Sequence, residues 1–436
     1  MAIIDYLRFR RLALEGFWIL IGQVAAVIGA LVLVRVLTEY LEPEQYGQLT
    51  LGLTIAGLVN QVVMGGLTAG ISRFYSIAGE KNELPEYLNA SHRLMVYAII
   101  SVGILVFTSV VGLLWLGQSE WIVLVTAALM LSVFNGCSSA VGGIQNAARQ
   151  RSVVALHGGV EPWLRILLAV GMMLWIGSSS TAVILGYLLS SLLVTGSQLL
   201  FLQKLIRPEG AITHMSRDWG QKIWAYSWPF SVFGVFTWLQ QISDRWALQT
   251  YASGHDVGLY AVVFQLGYVP IGLALGMAMT FLGPILYQRS GSTTDQNRNR
   301  DVHQIAWRIT FAGLAITALA FVFTLFLHEG IFQLLVATKY HEVSYLLPWM
   351  IVAGGVFSSA QMLALKLMSE MKTAVMTTAK IVSAIIGVIL NIYAASHFGS
   401  QGVVFALIAF SCIYFFWMVW LAQFPVESIK DNFRAT

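Results

Sequence analysis

Long apolar segments separated by short polar loops run the length of this chain. They fall at about residues 17–37, 48–72, 93–117, 121–146, 153–177, 180–203, 222–250, 257–286, 304–328, 343–368, 373–396 and 400–424. A helix needs roughly 20 apolar residues to cross a bilayer core, and each segment reaches about that length. Runs this continuous lack the strict alternation of transmembrane strands, which excludes a β-barrel. The pattern predicts an all-α polytopic membrane protein with about 12 transmembrane helices.

Composition leaves little room for anything else. Of 436 residues, 57% are hydrophobic and 11% charged, against roughly 25% charged in soluble domains. Cys137 and Cys412 lie inside apolar segments without CxxC spacing, so neither a metal site nor a disulfide is predicted. Arg8, Arg10 and Arg11 precede an apolar run that continues to Leu37 with no cleavage site, which reads as an uncleaved first span. Residues 2–15 and 82–93 have amphipathic patterns suited to the plane of the lipid headgroups.

Charge orients the spans. The even-numbered loops carry Arg73, Lys81, Arg93, Arg149, Arg151, Lys204, Arg207, Arg217, Lys222, Arg289, Arg298, Arg300, Lys366 and Lys372 in or beside them. The odd-numbered loops carry Glu39, Glu42, Glu44, Glu120, Asp256, Glu329 and Glu342, with Lys339 as their cation. The positive-inside rule then places both termini in the cytoplasm. A net charge of +4 scattered over short loops forms no basic stripe and predicts no nucleic-acid partner. There is no Walker A or HExxH pattern, so no cofactor or metal is expected.

Sliding the chain against itself by about 211 residues brings Arg35 near Arg245, Gly47 onto Gly258 and His92 onto His303. Gly177 and Gly399 match at a slightly larger offset. These pairs predict two pseudo-symmetric six-helix bundles, 1–206 and 222–436, joined by a cytoplasmic linker at 207–221. An even helix number gives both halves the same orientation, and parallel repeats of this kind hold their site where the repeats meet.

Candidate chemistry lies in the charges that break the topology pattern. His157, Glu161 and Arg165 recur every four residues and share one helical face, with Pro162 in the same turn. A charge at membrane depth costs about 2.5–3.5 kcal/mol on insertion scales and faces the bundle interior or a water-filled cavity. Two readings stand for this trio: structural ion pairing, or a cation that meets substrate beside a protonatable partner. Asp244 and Arg245 lie near the outer end of the seventh span, and Arg35 near that of the first. Gln23, Asn60 and Gln240 are further cavity candidates, because they belong to the first two spans of a half or to their repeat mates.

The segment Arg35-Val36-Leu37-Thr38-Glu39-Tyr40-Leu41-Glu42-Pro43-Glu44-Gln45-Tyr46-Gly47 resembles the start of polysaccharide transporters of the MATE-like MOP flippase superfamily, which include O-antigen (Wzx-type) flippases. Ile242-Ser243-Asp244-Arg245, followed by Val257-Gly258-Leu259-Tyr260-Ala261, is similar to that family's seventh-helix region. The resemblance implies an inner-membrane carrier for polyprenyl-pyrophosphate-linked oligosaccharides, working by alternating access. Membrane lipid, a glycan polymerase and glycosyltransferases would be its partners, and a proton or sodium gradient a candidate driving force. Two other readings remain open: an ion-coupled small-molecule exporter, and a membrane enzyme or assembly subunit of the same glycan pathway.

Overall fold

The computed structural model describes residues 2–205, 217–290, 296–369 and 373–423. Residues 207–216 of the expected linker and the tail after residue 423 lie outside the described residues. The described chain is helical, with no strand. Its helices are α1 (Ala2–Tyr40), α2 (Pro43–Val59), α3 (Gly66–Glu80), α4 (Leu84–Trp115), α5 (Trp121–Ala147), α6 (Arg151–Ile176), α7 (Ser180–Leu205), α8 (Arg217–Tyr251), α9 (Gly254–Ser290), α10 (Gln296–Leu335), α11 (Leu347–Ser369) and α12 (Thr373–Gln423). A π-helical turn, Asn60–Gly65, joins α2 to α3, and a 3₁₀ segment, Thr338–Leu346, leads into α11.

Among the described residues, ten helices are long and apolar enough to cross a membrane. α8 is not one of them, since it carries Asp218, Lys222, Gln240, Gln241, Asp244 and Arg245. α12 counts once, but Gly399 leaves helical geometry at φ 56°, where the last two apolar segments were expected to part. Large apolar side chains point outward at helical spacing: Ile100, Ile104, Phe107, Val111 and Leu114 on α4, and Leu319, Phe323 and Phe326 on α10. An apolar exterior on helices of this length makes the chain a multi-pass membrane protein.

The chain divides into two compact units, Met1–Leu41 with Gln48–Trp238, and Glu42–Gly47 with Leu239–Thr436. In the first unit α1 packs on α6, and α7 on both α5 and α6. Small residues let the backbones approach. A Cβ on Gly159 would stand 3.3 Å from the Gly22 backbone, and one on Gly186 2.6 Å from Ala169. The first part of α8 belongs to this unit for the same reason. Gly66 and Gly70 of α3 meet Ser227, Gly234 meets the Gln61 backbone, and the Trp238 indole N–H donates to Thr54 O at 2.7 Å. Tyr87 and Trp219 sit in the core with Met64, Ile71, Leu129 and Ile223.

In the second unit α11 is the central helix, packed on α9, α10 and α12. Leu363, Leu367, Tyr414, Met418 and Leu421 form its core. The Glu42–Gly47 segment is docked onto the start of α9. Tyr46 meets Tyr340 edge-on at 6.0 Å, and Lys339 pairs with Glu42 at 2.9 Å. The backbone contact here is reciprocal: Gly47 abuts Gly254, and Gly258 abuts Pro43. Positions 43 and 254, and 47 and 258, are partners at the 211-residue offset. Each helix start thus uses the same glycine against the other. Gly177 and Gly399, also matched in the sequence, both have positive φ.

A Cβ on Gly258 would collide with the Pro43 backbone, which has no flexible end to yield. Gly258→Ala should therefore destabilise by about 1–3 kcal/mol, the range of overpacked sites. Gly112→Ala, which meets nothing within 4 Å, should leave the thermal midpoint in detergent unchanged or raised.

Candidate functional site

A polar arrangement in the second unit is built on α8. Gln240, Gln241, Asp244 and Arg245 fall on one face because they are spaced one and four residues apart. They line a cavity of about 410 Å³ with Phe264, Tyr268, Val269, Gly272 and Leu273 of α9, Phe357 of α11 and Leu407 of α12. That volume lies within the roughly 300–1,000 Å³ of small-molecule sites.

Asp244 and Arg245 do different work in it. Asp244 is buried; one carboxylate oxygen accepts the Tyr260 hydroxyl at 2.5 Å and the other accepts the Arg245 backbone N–H at 2.7 Å. Its two hydrogen bonds thus come from neutral donors, with the Arg245 guanidinium at ion-pair distance beside them. The Arg245 guanidinium is 3.7 Å from Asp244, donates to Gln241 O at 3.1 Å and stacks over the Phe264 ring at 4.5 Å. Its Nε is buried without a hydrogen-bond partner. A guanidinium has five donors in a fixed fork suited to carboxylate or phosphate, and this one retains unused capacity beside a cavity. Phe264 and Tyr268 stack at 4.6 Å, and Phe357 follows at 6.3 Å, giving the cavity an aromatic wall. Behind it, Asn391 donates to Ser243 at 2.8 Å and fixes α12 to α8.

The first unit holds a second polar cluster, between α5, α6 and α7. Arg165 and Glu161 form an ion pair at 2.5 Å, each side chain about a quarter exposed. Asn135 accepts from Ser191 at 2.8 Å and from Arg165 at 3.5 Å, and the guanidinium lies over Tyr187 at 5.3 Å. His157 shares their helix face but has its own partners: Val153 O at 2.7 Å, Ser197 at 3.0 Å and the Phe201 ring. It ties α6 to α7 two turns from Arg165. Pro162 leaves α6 continuous, and Trp163 beside it donates to Ala25 O at 3.2 Å.

The remaining candidates, all in the first unit, have other surroundings. Arg35 pairs with Glu39 at 3.1 Å on a partly exposed face of α1. Gln23 is exposed on α1. Asn60 opens the π-helical turn, where its carbonyl would stand 2.8 Å from a Cβ on Gly65. Tyr260 entered the sequence reading only as part of the family-like segment, and Phe264, Tyr268 and Phe357 were not singled out, although Tyr260, Phe264 and Tyr268 recur every four residues and so share a face. Asn135 stood out in the sequence as a polar residue deep in an apolar segment, a position suited to interhelical hydrogen bonding, whereas Tyr187 and Ser191 carried no comparable signal.

A sequence model of the polysaccharide biosynthesis protein family matches residues 12–290. The chain belongs to that family. Solved structures add the fold. The lipid II flippase MurJ, in an inward closed conformation, superposes with a TM-score of 0.70 at 13% identity, covering 95% of this chain and 88% of that one. The MATE multidrug transporter DinF-BH gives 0.67 at 17% identity, with 94% of each chain covered. The Vibrio cholerae MATE transporter VcmN gives 0.63 at 16% identity, covering 98% and 97%. At these identities the likeness establishes a MATE-like helical membrane fold. No curated protein sequence matches the chain.

The Glu161–Arg165 pair should show coupling in a double-mutant cycle. Glu161→Gln alone leaves a partly buried cation without its carboxylate. Arg165→Gln added to it should cost less than it does alone, with a coupling of about 0.5–3 kcal/mol, read from thermal unfolding in detergent.

Proposed function

We propose that the protein is a flippase that moves polyprenyl-pyrophosphate-linked oligosaccharides from the cytoplasmic to the outer leaflet of the inner membrane, with both of its termini in the cytoplasm. The observation that carries this reading is the α8–α9 cavity. It joins a partly unsatisfied guanidinium to amide groups and an aromatic wall. A pyrophosphate and hydrated sugars cannot enter hydrocarbon unaided, because each unpaired polar group costs several kcal/mol there. Arg245 supplies charge and fork geometry for phosphate. Gln240 and Gln241 offer donors and acceptors for sugar hydroxyls, and Tyr268 and Phe264 offer flat faces for sugar rings. The prenyl chain needs no such site, since lipid itself solvates it.

Family membership supports a role in polysaccharide biosynthesis. A solved structure of the same fold is a lipid II flippase, so the architecture admits a lipid-borne substrate. Exposure of the site to alternate sides of the membrane would complete transport. Glu161 and Arg165 are the secondary candidates. Their charges are spent on each other at rest, so they would contact substrate only after the pair opens.

The test is translocation of a defined lipid-linked oligosaccharide in proteoliposomes, with and without proton or sodium gradients. Arg245→Ala should slow it by about ten- to a hundredfold, the value of one or two charge-assisted hydrogen bonds. Arg245→Lys should recover part of the loss, as it restores charge without the fork. Wild-type transport by Arg245→Ala would sink the assignment of this cavity. Movement of a small cationic drug, and not of the lipid-linked sugar, would favour the exporter reading.

A further inference from the structure

We propose that the turn between α3 and α4 and the first turn of α8 form a binding site for the phosphate headgroup of an anionic phospholipid. The site is organised by Trp219, which is only 2% exposed. Its ring meets Phe74 edge-on at 6.1 Å and Tyr87 at 5.8 Å, and its indole N–H donates to Glu83 at 3.0 Å. Tyr87 is itself anchored by donation to Ile71 O. The indole is therefore fixed from several sides.

Two ammonium groups converge on that fixed ring. Lys222 Nζ lies 5.2 Å and Lys81 Nζ 6.0 Å from its centroid. An indole face attracts cations, so the ring gathers charges that would otherwise spread apart. A third cation, Arg93, places its guanidinium 3.8 Å from where a Cβ of Gly220 would stand. Two of the nearby acids are engaged, Glu83 with the Trp219 indole and Asp218 with Lys222, and Glu86 keeps one carboxylate oxygen buried without a hydrogen-bond partner. Among the described residues, Lys81 and Arg93 have no carboxylate partner. Lys81 and Arg93 thus present cationic groups that no described carboxylate meets within ion-pair distance.

A free phosphate and a lipid phosphate would satisfy these cations equally. The adjoining surface favours the lipid. Trp224, Tyr226, Trp228 and Phe230 are all exposed on α8, roughly 8–17 Å further along the helix at 1.5 Å per residue. Tryptophan and tyrosine favour the headgroup level of a bilayer. Basic pockets between transmembrane helices on the cytoplasmic side are suited to anionic headgroups. A phosphate at Lys81 and Arg93 would leave its acyl chains beside these aromatic rings. The site is separate from the α8–α9 cavity in sequence and chemistry, and it does not depend on what that cavity carries.

The test is native mass spectrometry of the full-length protein with phosphatidylglycerol and phosphatidylcholine supplied together. Wild type should retain phosphatidylglycerol preferentially. Lys81→Gln with Arg93→Gln should reduce that preference by roughly thirtyfold, as expected for two cations lost near a phosphate. Lys81→Arg with Arg93→Lys keeps both charges and should keep the preference. If both double variants lost it equally, a packing defect would explain the result and the proposal would fail. Equal retention of the two lipids by wild type, or an unchanged preference in the charge-removed variant, would also overturn it. Inorganic phosphate that displaced phosphatidylglycerol at matched concentration would identify a free-anion site instead.

Discussion

Helices surrounded by hydrocarbon gain little from simple apolar contact with each other, because the lipid offers the same contact. Close backbone approach is what holds this structure together. Gly22 against Ala155, Gly186 against Ala169, Gly234 against Gln61 and Gly354 against Tyr268 each leave less room than a methyl group needs. Removing the side chain brings more atoms of both helices within dispersion range. It also decides where the polar groups go. A helix seated this tightly has a fixed rotation, so its polar face meets one chosen neighbour. α8 shows both effects, with Gly234 seating it at one level and Gln240, Asp244 and Arg245 turned into a cavity a few turns later.

The two polar clusters illustrate different uses of charge in a dry medium. Glu161 and Arg165 pair with each other directly, although the Arg165 Nε is buried without a hydrogen-bond partner. Asp244 takes its hydrogen bonds from Tyr260 and a backbone N–H, which leaves the neighbouring guanidinium less constrained. An aromatic face under that guanidinium stabilises it without consuming its donors. The same physics recurs at Trp219, where an indole collects two lysines. Rings and carboxylates share several of these cations: Arg165 has Glu161 and Tyr187, and Lys222 has Asp218 and Trp219.

Much of the fold was legible because membrane spans advertise themselves through long apolar runs. Gly399 marked the break in the last helix, and Pro162 was correctly placed inside a continuous one. The π-helical turn at Asn60–Gly65 was not legible, since it arises from packing rather than from local pattern. α8 reads as a span in the sequence, yet it bears so many polar residues that its apolar character is weak. For the site, charges inside spans pointed to Asp244 and Arg245. The aromatic wall was hidden, because Phe264 and Tyr268 look the same in sequence whether they face lipid or a cavity. His157 was grouped with Glu161 and Arg165 by helix face alone. Its side-chain hydrogen-bond partner, Ser197, lies on another helix and leaves no mark in the spacing.

The reciprocal contact at the starts of α2 and α9 has a genetic consequence. Gly47 and Gly258 guard one junction from two places far apart in the chain. A bulky residue at either position forces the same two backbones apart, and the second then finds the gap already open. Their substitutions should therefore show epistasis: the double change should cost less than the two single changes together. Two codons separated by half the gene behave, at this junction, as a single mutational target.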